Sequence, residues 1–498
     1  MLTPDYLDAL PHDAVELYRQ VEDDILRDIA RRIGKMDEIT ATADWQAYRL
    51  QETAAVRAEV VKTLSKYSGK SEAVIRQMMR DGCTEALTAD DAEYLAMGLS
   101  PSALNQSSAL LNLLNAGYLQ TLGTWRNLTA TTANTVAQQF EGALDRAWLQ
   151  VSSGAFDYNT AIKSAVDNLA ASMQYVTYPT GKRDTLEVAV RRAVLTGVNQ
   201  TACKLQDARA DEMGCEYVEV SAHSGARSDG SRGPADHAYW QGKVYHRGGA
   251  IDFDGTRYDD FVTATGYGTG EGLCGWNCRH NFHPFWPGVS VPAYTPERLA
   301  ELNAKNIEYN GKQYSQYEIN QMQRALERRV RSAKRKYLAE DAAGRDSAVA
   351  SVQLKDARQK LKSFIQLTSG KQDGARESVN KFGHSAASSA AWKARRSILT
   401  NAAGQPIIKM SKTYITGPKN GITQKNNAKG GIDRNYYDAD GRKFKQISNN
   451  GHGHKKEERL GLHGEHAHNY FWDENGKPHH LDARELTEEE RKENGDIL

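Results

Sequence analysis

Two neighbouring runs decide how this chain is read. Residues 223–249 spell HSGARSDGSRGPADHAYWQGKVYHRGG, and residues 265–288 spell TGYGTGEGLCGWNCRHNFHPFWPG. Between them they hold five of the fourteen histidines (His223, His237, His246, His280, His283), two of the five cysteines (Cys274, Cys278) and three of the eight tryptophans (Trp240, Trp276, Trp286). So much Gly, Trp, His and Cys defeats both the helical and the strand period. The stretch is predicted to be a loop-rich unit with a specific fold.

Upstream the chain turns helical. Ala14, Tyr18, Val21, Ile25, Ile29 and Ile33 recur at steps of three and four, and Gly34 stands where a C-cap belongs. A second helix is predicted from about 44 to 67 with Tyr48, Val56, Val60 and Leu64, and a third opens at Ser71 with Val74, Ile75 and Met78. Thr88 followed by Asp91 has the form of a capping box. Helical patterns continue over 104–122, 131–151, 160–173 and 185–212, the last placing Val188, Ala189, Leu195, Val198, Ala202 and Leu205 on one side. Arg191 and Arg192 within it read as a solvated or salt-bridged edge. Tyr217, Val218 and Val220 form a short strand that leads directly into His223.

Downstream, Ile319, Met322, Leu326, Val330, Ala333 and Tyr337 recur at near-heptad spacing. Arg324, Arg328, Arg331, Lys334 and Arg335 cover the other faces, making a basic amphipathic helix able to pair with a helix or lie along phosphates. A plain solvated basic face is the more economical reading. Another helix is expected over 347–367. Residues 417–431 read as a flexible linker of Gly, Asn and Lys, after a strand pair in PIIKMSKTYIT. Beyond it, two hairpins are expected, one turning at 438–441 and one at 473–476, then a short helix capped by Thr487.

At 498 residues the chain should hold two to four domains. With 64 basic against 63 acidic residues it carries no global signature for a polyanion, so any nucleic-acid contact is local. Five scattered cysteines predict no disulfide framework and favour a reducing compartment. The opening MLTPDYLDALPHDAVELYRQ lacks the basic-then-apolar pattern of a signal peptide, and no apolar run has the length of a membrane span.

Several constellations bear on chemistry. Cys274-x3-Cys278-x-His280-x2-His283 offers four ligands in ten residues, enough for a tetrahedral zinc, and His223 or His237 would complete such a site. Against it stands a packed aromatic turn with satisfied histidines, since the spacing is not C-x2-C and no second cysteine pair follows. Gly266, Gly268, Gly270 and Gly272 lack the flanking strand and helix of a nucleotide loop. No nucleophile elbow occurs, so no catalytic residue is assigned. The last 67 residues hold His452, His454, His463, His466, His468, His479 and His480. His466 and His468 would share one face of a strand, which with His463 gives a second candidate metal set or a His-based nuclease.

The runs SGAFDYNTAIKSAVDNLA, YPTGKRDTLEVAVRRAVLTGVNQT, VEVSAHSGARSDGS, DHAYWQGKVY and TGYGTGEGLCGWNCRHNFHPFWPG resemble the phage minor capsid protein 2 family, which belongs with the Mu F-like head-morphogenesis proteins. The likeness covers residues 1–338 and is densest over 152–288. The tail from GEHAHNYFWDENGKPHH onward resembles a small module associated with phage structural genes. The resemblance implies a virion component made in a bacterial cytoplasm and present in few copies near the portal vertex. Such a component would assist head assembly and DNA packaging or delivery, with the portal and the major capsid or scaffolding protein as expected partners and packaged DNA expected at the basic helix. The resemblance brings no established enzymatic activity for the central domain. Carried over, the family's hallmark positions are His223, Arg227, Asp236, His237, Gln241, Gly242, Cys278, Arg279 and His280. Some related proteins carry toxin domains at this end, so the rival reading is a virion-borne effector with a nuclease-like tail.

The expected architecture is α+β and predominantly helical. It has a helical N-terminal domain (1–150), a central loop-rich α+β domain (151–295) and a basic helical region (296–370). A linker (371–431) and a β-rich C-terminal module (432–498) complete it.

Overall fold

The structure is a computed structural model describing residues 1–35, 43–152, 157–172, 175–177, 181–302 and 304–498. The fold is α+β and predominantly helical, as the patterns predict. It divides into two compact units, one of Met1–Val21, Val61–Thr135 and Tyr175–Met322, the other of Glu22–Val60, Val136–Gln174 and Gln323–Leu498. No helix among the described residues is long and apolar enough to cross a membrane.

The early helices are fewer and longer than their sequence breaks predict: α1 (His12–Gly34), α2 (Ala43–Ala96) and α3 (Ser108–Ser152). The cap signal at Thr88 falls inside α2. A cap contributes about 1 kcal/mol, and the packing of Ile75, Met79, Cys83 and Leu87, all buried, outweighs it. The side chains of Tyr48 and Ser71 lie outside the described residues. In α3 the threonine-rich step between the two expected helices does not break the ladder. Thr129 and Thr132 turn their hydroxyls back onto the carbonyls of Trp125 and Leu128, at 3.0 and 2.8 Å.

In the first unit these helices pack with α5 (Leu186–Met213), the helix after α4 (Tyr158–Ser172) in chain order. Thr185 caps α5 at its start, accepting from Val188 N–H, and Gly214 ends it at a φ of 64°. The sequence predicts one buried side for α5. The structure buries more: Val190, Val194 and Val198 enter a core with Tyr18, Met79 and Trp125, while Leu195 and Leu205 enter another with Leu7 and Leu87. Val188 turns outward instead. Where α3 meets α5, Gly117 faces Thr201 and Gly197 faces Thr121. A β-carbon on either glycine would stand 2.1–2.2 Å from the opposing hydroxyl, so only glycine permits this backbone approach.

Beyond α5 a small sheet forms from β1 (Tyr217–Val220), β2 (Val244–His246), β3 (Ile251–Phe253), β4 (Thr256–Asp260) and β5 (Phe282–Phe285), in the order β3-β4-β2-β1-β5. Between β1 and β2 lies one short helical turn, α6 (His237–Trp240). Val218, Val220, Trp240, Phe261, Phe282 and Cys278 make the core under this sheet.

The second unit contains α4, α7 (Gln316–Ala342) from residue 323 onward, α8 (Ala348–Leu367) and α9 (His384–Ser397). Val330, Tyr337, Leu354, Leu361 and Ala390 form its helical core. Its sheet runs in sequence order: β6 (Ile398–Thr400), β7 (Pro406–Lys409), β8 (Ile422–Asn426), β9 (Ile432–Tyr437), β10 (Lys443–Ser448), β11 (His466–Trp472) and β12 (Pro478–His480). The segment 371–431, expected as a linker, therefore supplies α9 and three strands. Some of its glycines serve close approach: Gly417 lies against the Tyr437 ring, where a β-carbon would meet ring carbons at 2.5 Å, and Gly431 lies against Asn450. PIIKMSKTYIT gives one strand, β7, paired with β6 and not with itself. Register pairs Asn435 with Gln446 and Gln446 with His468, and pairs Asp433 with Ser448 and Ser448 with His466. One face of β9–β11 is thus polar, while Tyr436, Ile447 and Ala467 alternate onto the other, joining Ile407, Ile422 and Leu486. The closing helix, α10 (Glu488–Glu493), has the expected Thr487 cap, completed to a capping box by Glu490.

Candidate functional site

The hallmark residues of the first unit converge around one buried thiol. α6 carries His237, whose Nε2 lies 2.8 Å from Glu271 O; the carbonyl can only accept, so Nε2 holds the proton and Nδ1 is left as a lone pair. That lone pair faces Cys278 Sγ at 3.8 Å. His280, two residues on, faces the same sulfur through Nδ1 at 3.5 Å and contacts Gln241 Oε1 through Nε2 at 3.0 Å. Gln241 Oε1 also accepts from His223 N–H at 3.0 Å. The His223 ring stacks on His280 at 4.2 Å, and Trp240 closes the other side. Asn199 of α5 holds the loop by donating to the carbonyls of Cys278 and His280, at 3.2 and 2.9 Å. This cluster forms part of the wall of a cavity of about 1020 Å3 that also meets Arg227, Arg279, Trp276 and Thr121.

Burial pushes the Cys278 thiol up to about 11. Burial first, and the Arg279 guanidinium next, bring His223 down to about 4; burial and neighbouring positive charge hold His280 well below its usual range. Near neutral pH the cluster is therefore a neutral thiol among neutral imidazoles, with no thiolate to act as a nucleophile. The donor atoms of His237, Cys278 and His280 lie within 4.8 Å of one another, and a tetrahedral zinc would separate S from N by about 3.6 Å. The set thus has the right spacing for an ion, while Arg227 and Arg279 beside it oppose a second positive centre.

The metal set read from sequence is revised. Cys274 is bonded to Cys203 of α5, 71 positions away, and so cannot be a ligand. The cysteines make no framework, as expected, but this one bond is not foreseen from sequence; the pairing depends on α5 passing beside the loop, which spacing alone does not reveal. His283 turns away from the cluster to Glu93 and Glu219, at 3.3 Å each. Asp236 is buried and accepts from Arg232 N–H, while Arg227 is exposed and donates to Trp276 O. Gly242, at a φ of 67°, has Leu299 and Tyr294 where a β-carbon would go. Sequence reasoning missed Asn199 and the buried Glu219. The latter takes the N–H groups of Ala293 and Tyr294, and only its place on β1 hints at its role.

The nucleic-acid face is also revised. Arg331 donates to Arg376 O and Lys334 to Glu377 O, and Arg335 is buried against Glu22 and Asp23. These three cannot reach a phosphate backbone. The helix is buried on more than its heptad seam, and these three cations serve as internal partners. Of the remaining two, Arg324 is half-buried and Arg328 exposed. In the tail, His463 is exposed, whereas His466 and His468 are buried on the polar sheet face.

A family model described as phage minor capsid protein 2 matches residues 2–366. A "Structural protein" of Lactococcus phage mv4 is 37% identical over 79 residues, covering 16% of this chain and 55% of that protein. The chain thus spans about half the length of this curated relative. No solved structure matches.

Proposed function

The chain belongs to the phage minor capsid protein 2 family, and on that footing we propose that it is a virion component seated at the portal vertex. There it assists head assembly and the packaging or delivery of DNA, with the portal and the major capsid or scaffolding protein as its partners. The observation that carries this reading is the length of the family match, 2–366, which draws on segments of both units. The chemistry of the hallmark cluster supports it: buried, neutral and tied to α5 through Asn199, it serves a rigid fold better than a reaction. The effector reading gains less support, because His466 and His468, which would do the cutting, are 0% and 6% exposed and withheld from a polynucleotide.

The test is cross-linking mass spectrometry on purified particles of the phage that encodes the chain. A few copies per particle are expected, cross-linked to the portal protein. Absence from both DNA-filled and empty heads, or cross-links to tail proteins only, would overturn the reading.

A further inference from the structure

In the second unit, beyond the reach of the family match, two histidines turn bare nitrogens on one carboxylate, with a third histidine beside them. His466 and His468 stand two apart on β11, on the same polar face. His466 Nδ1 lies 2.8 Å from Gly464 O, and His468 Nδ1 lies 3.1 Å from Leu481 O. Carbonyls only accept, so both rings carry their protons on Nδ1 and offer bare Nε2 atoms inward. Both Nε2 atoms face the carboxylate of Glu457, His466 at 3.9 Å and His468 at 3.6 Å. Neither distance makes a hydrogen bond. His466 is 0% exposed and its Nε2 has no hydrogen-bond partner; the same holds for Glu457 Oε2. His452 adds a third ring, 5.3 Å from that of His466, and the donors of His452, Glu457 and His466 all fall within 4.8 Å.

Buried acceptors facing one another with no proton between them are costly unless a cation joins them. Two or three imidazoles with one carboxylate are the donor set of zinc and its transition-metal neighbours. The carbonyl contacts to Nδ1 are the outer-shell bonds that orient ligating histidines. Ligand bonds of about 2.0–2.2 Å put tetrahedral donors about 3.4 Å apart, against 3.6 and 3.9 Å from Glu457 to the two Nε2 atoms and up to 4.8 Å within the set of His452, Glu457 and His466, so an ion would draw the donors inward. We propose that His452, Glu457, His466 and His468 bind one divalent transition-metal ion, which fastens the 449–465 loop over the polar face of the sheet.

The experiment uses the full chain, stripped with a chelator and titrated with Co2+ and then Zn2+. One ion per chain is expected, with the visible absorption of tetrahedral cobalt displaced by zinc. Glu457→Gln and His466→Ala should each weaken binding by about tenfold or more, and His463→Ala and Cys278→Ser should leave it unchanged. The isosteric Glu457→Gln guards against a change that merely unfolds the module. No stoichiometric ion at micromolar concentration would overturn the proposal. So would an ion lost in Cys278→Ser and kept in His466→Ala and Glu457→Gln.

Discussion

Replacing Arg335 with methionine is expected to destabilise the second unit by about 3–5 kcal/mol, the cost of stranding buried charge. Arg335 Nε donates to Asp23 Oδ1 at 2.6 Å and Nη2 to Glu22 Oε2 at 2.7 Å. Asp23 Oδ2 takes Asn380 N–H at 2.7 Å, so the pair also fixes the turn before α9. Burial raises both carboxyls above their usual range, and Arg335 offsets part of that rise. In Arg335→Met the two acids bind protons more tightly folded than unfolded, so the deficit should narrow as pH falls. Adding Glu22→Gln and Asp23→Asn should restore most of the loss. Urea unfolding, followed by hydrogen-exchange protection of α7, measures it; a loss under about 1 kcal/mol would show that the ion pair is dispensable.

The second large effect is a pH dependence in the first unit. Burial would depress His283, but Glu219 and Glu93 more than reverse that and lift it to about 9. A histidine raised from 6.5 to about 9 stabilises the folded state fully below pH 6.5 and loses that contribution as pH rises through 9. At 1.36 kcal/mol per unit the contribution is about 3 kcal/mol. Protection factors of the β1 and β5 amides, compared between the natural chain and His283→Gln, should differ at pH 6 and converge by pH 9.5. A difference independent of pH would mean that His283 acts by packing alone.

Both predictions rest on contacts the sequence does not display. Local periodicity revealed α1, the Val330 and Tyr337 seam, the hairpins β9–β10 and β11–β12 and the Thr487 cap, because each depends on residues a few positions apart. It divided α2 and α3 too finely, because capping and Thr propensities are small beside tertiary packing and Thr hydroxyls have carbonyls within reach in their own helix. It took residues 417–431 for a linker, because a glycine that admits a neighbouring ring has the same composition as one that bends freely. The convergence of His237, Cys278 and His280 was foreshadowed by their crowding into one stretch. The partnership of Arg335 with Glu22, 313 positions away, was not, and a basic helix face looks the same whether its charges meet solvent, phosphate or a buried carboxylate.

On this reading the Cys- and His-rich middle is a rigid, neutral scaffold. Thiol titration of the native, non-reduced chain is the sharpest check. With Cys203 and Cys274 joined and Cys83, Cys215 and Cys278 buried, no fast-reacting thiol should be found until denaturant exposes all three. A thiol that reacts rapidly in the folded protein near neutral pH, and disappears in Cys278→Ser, would contradict it.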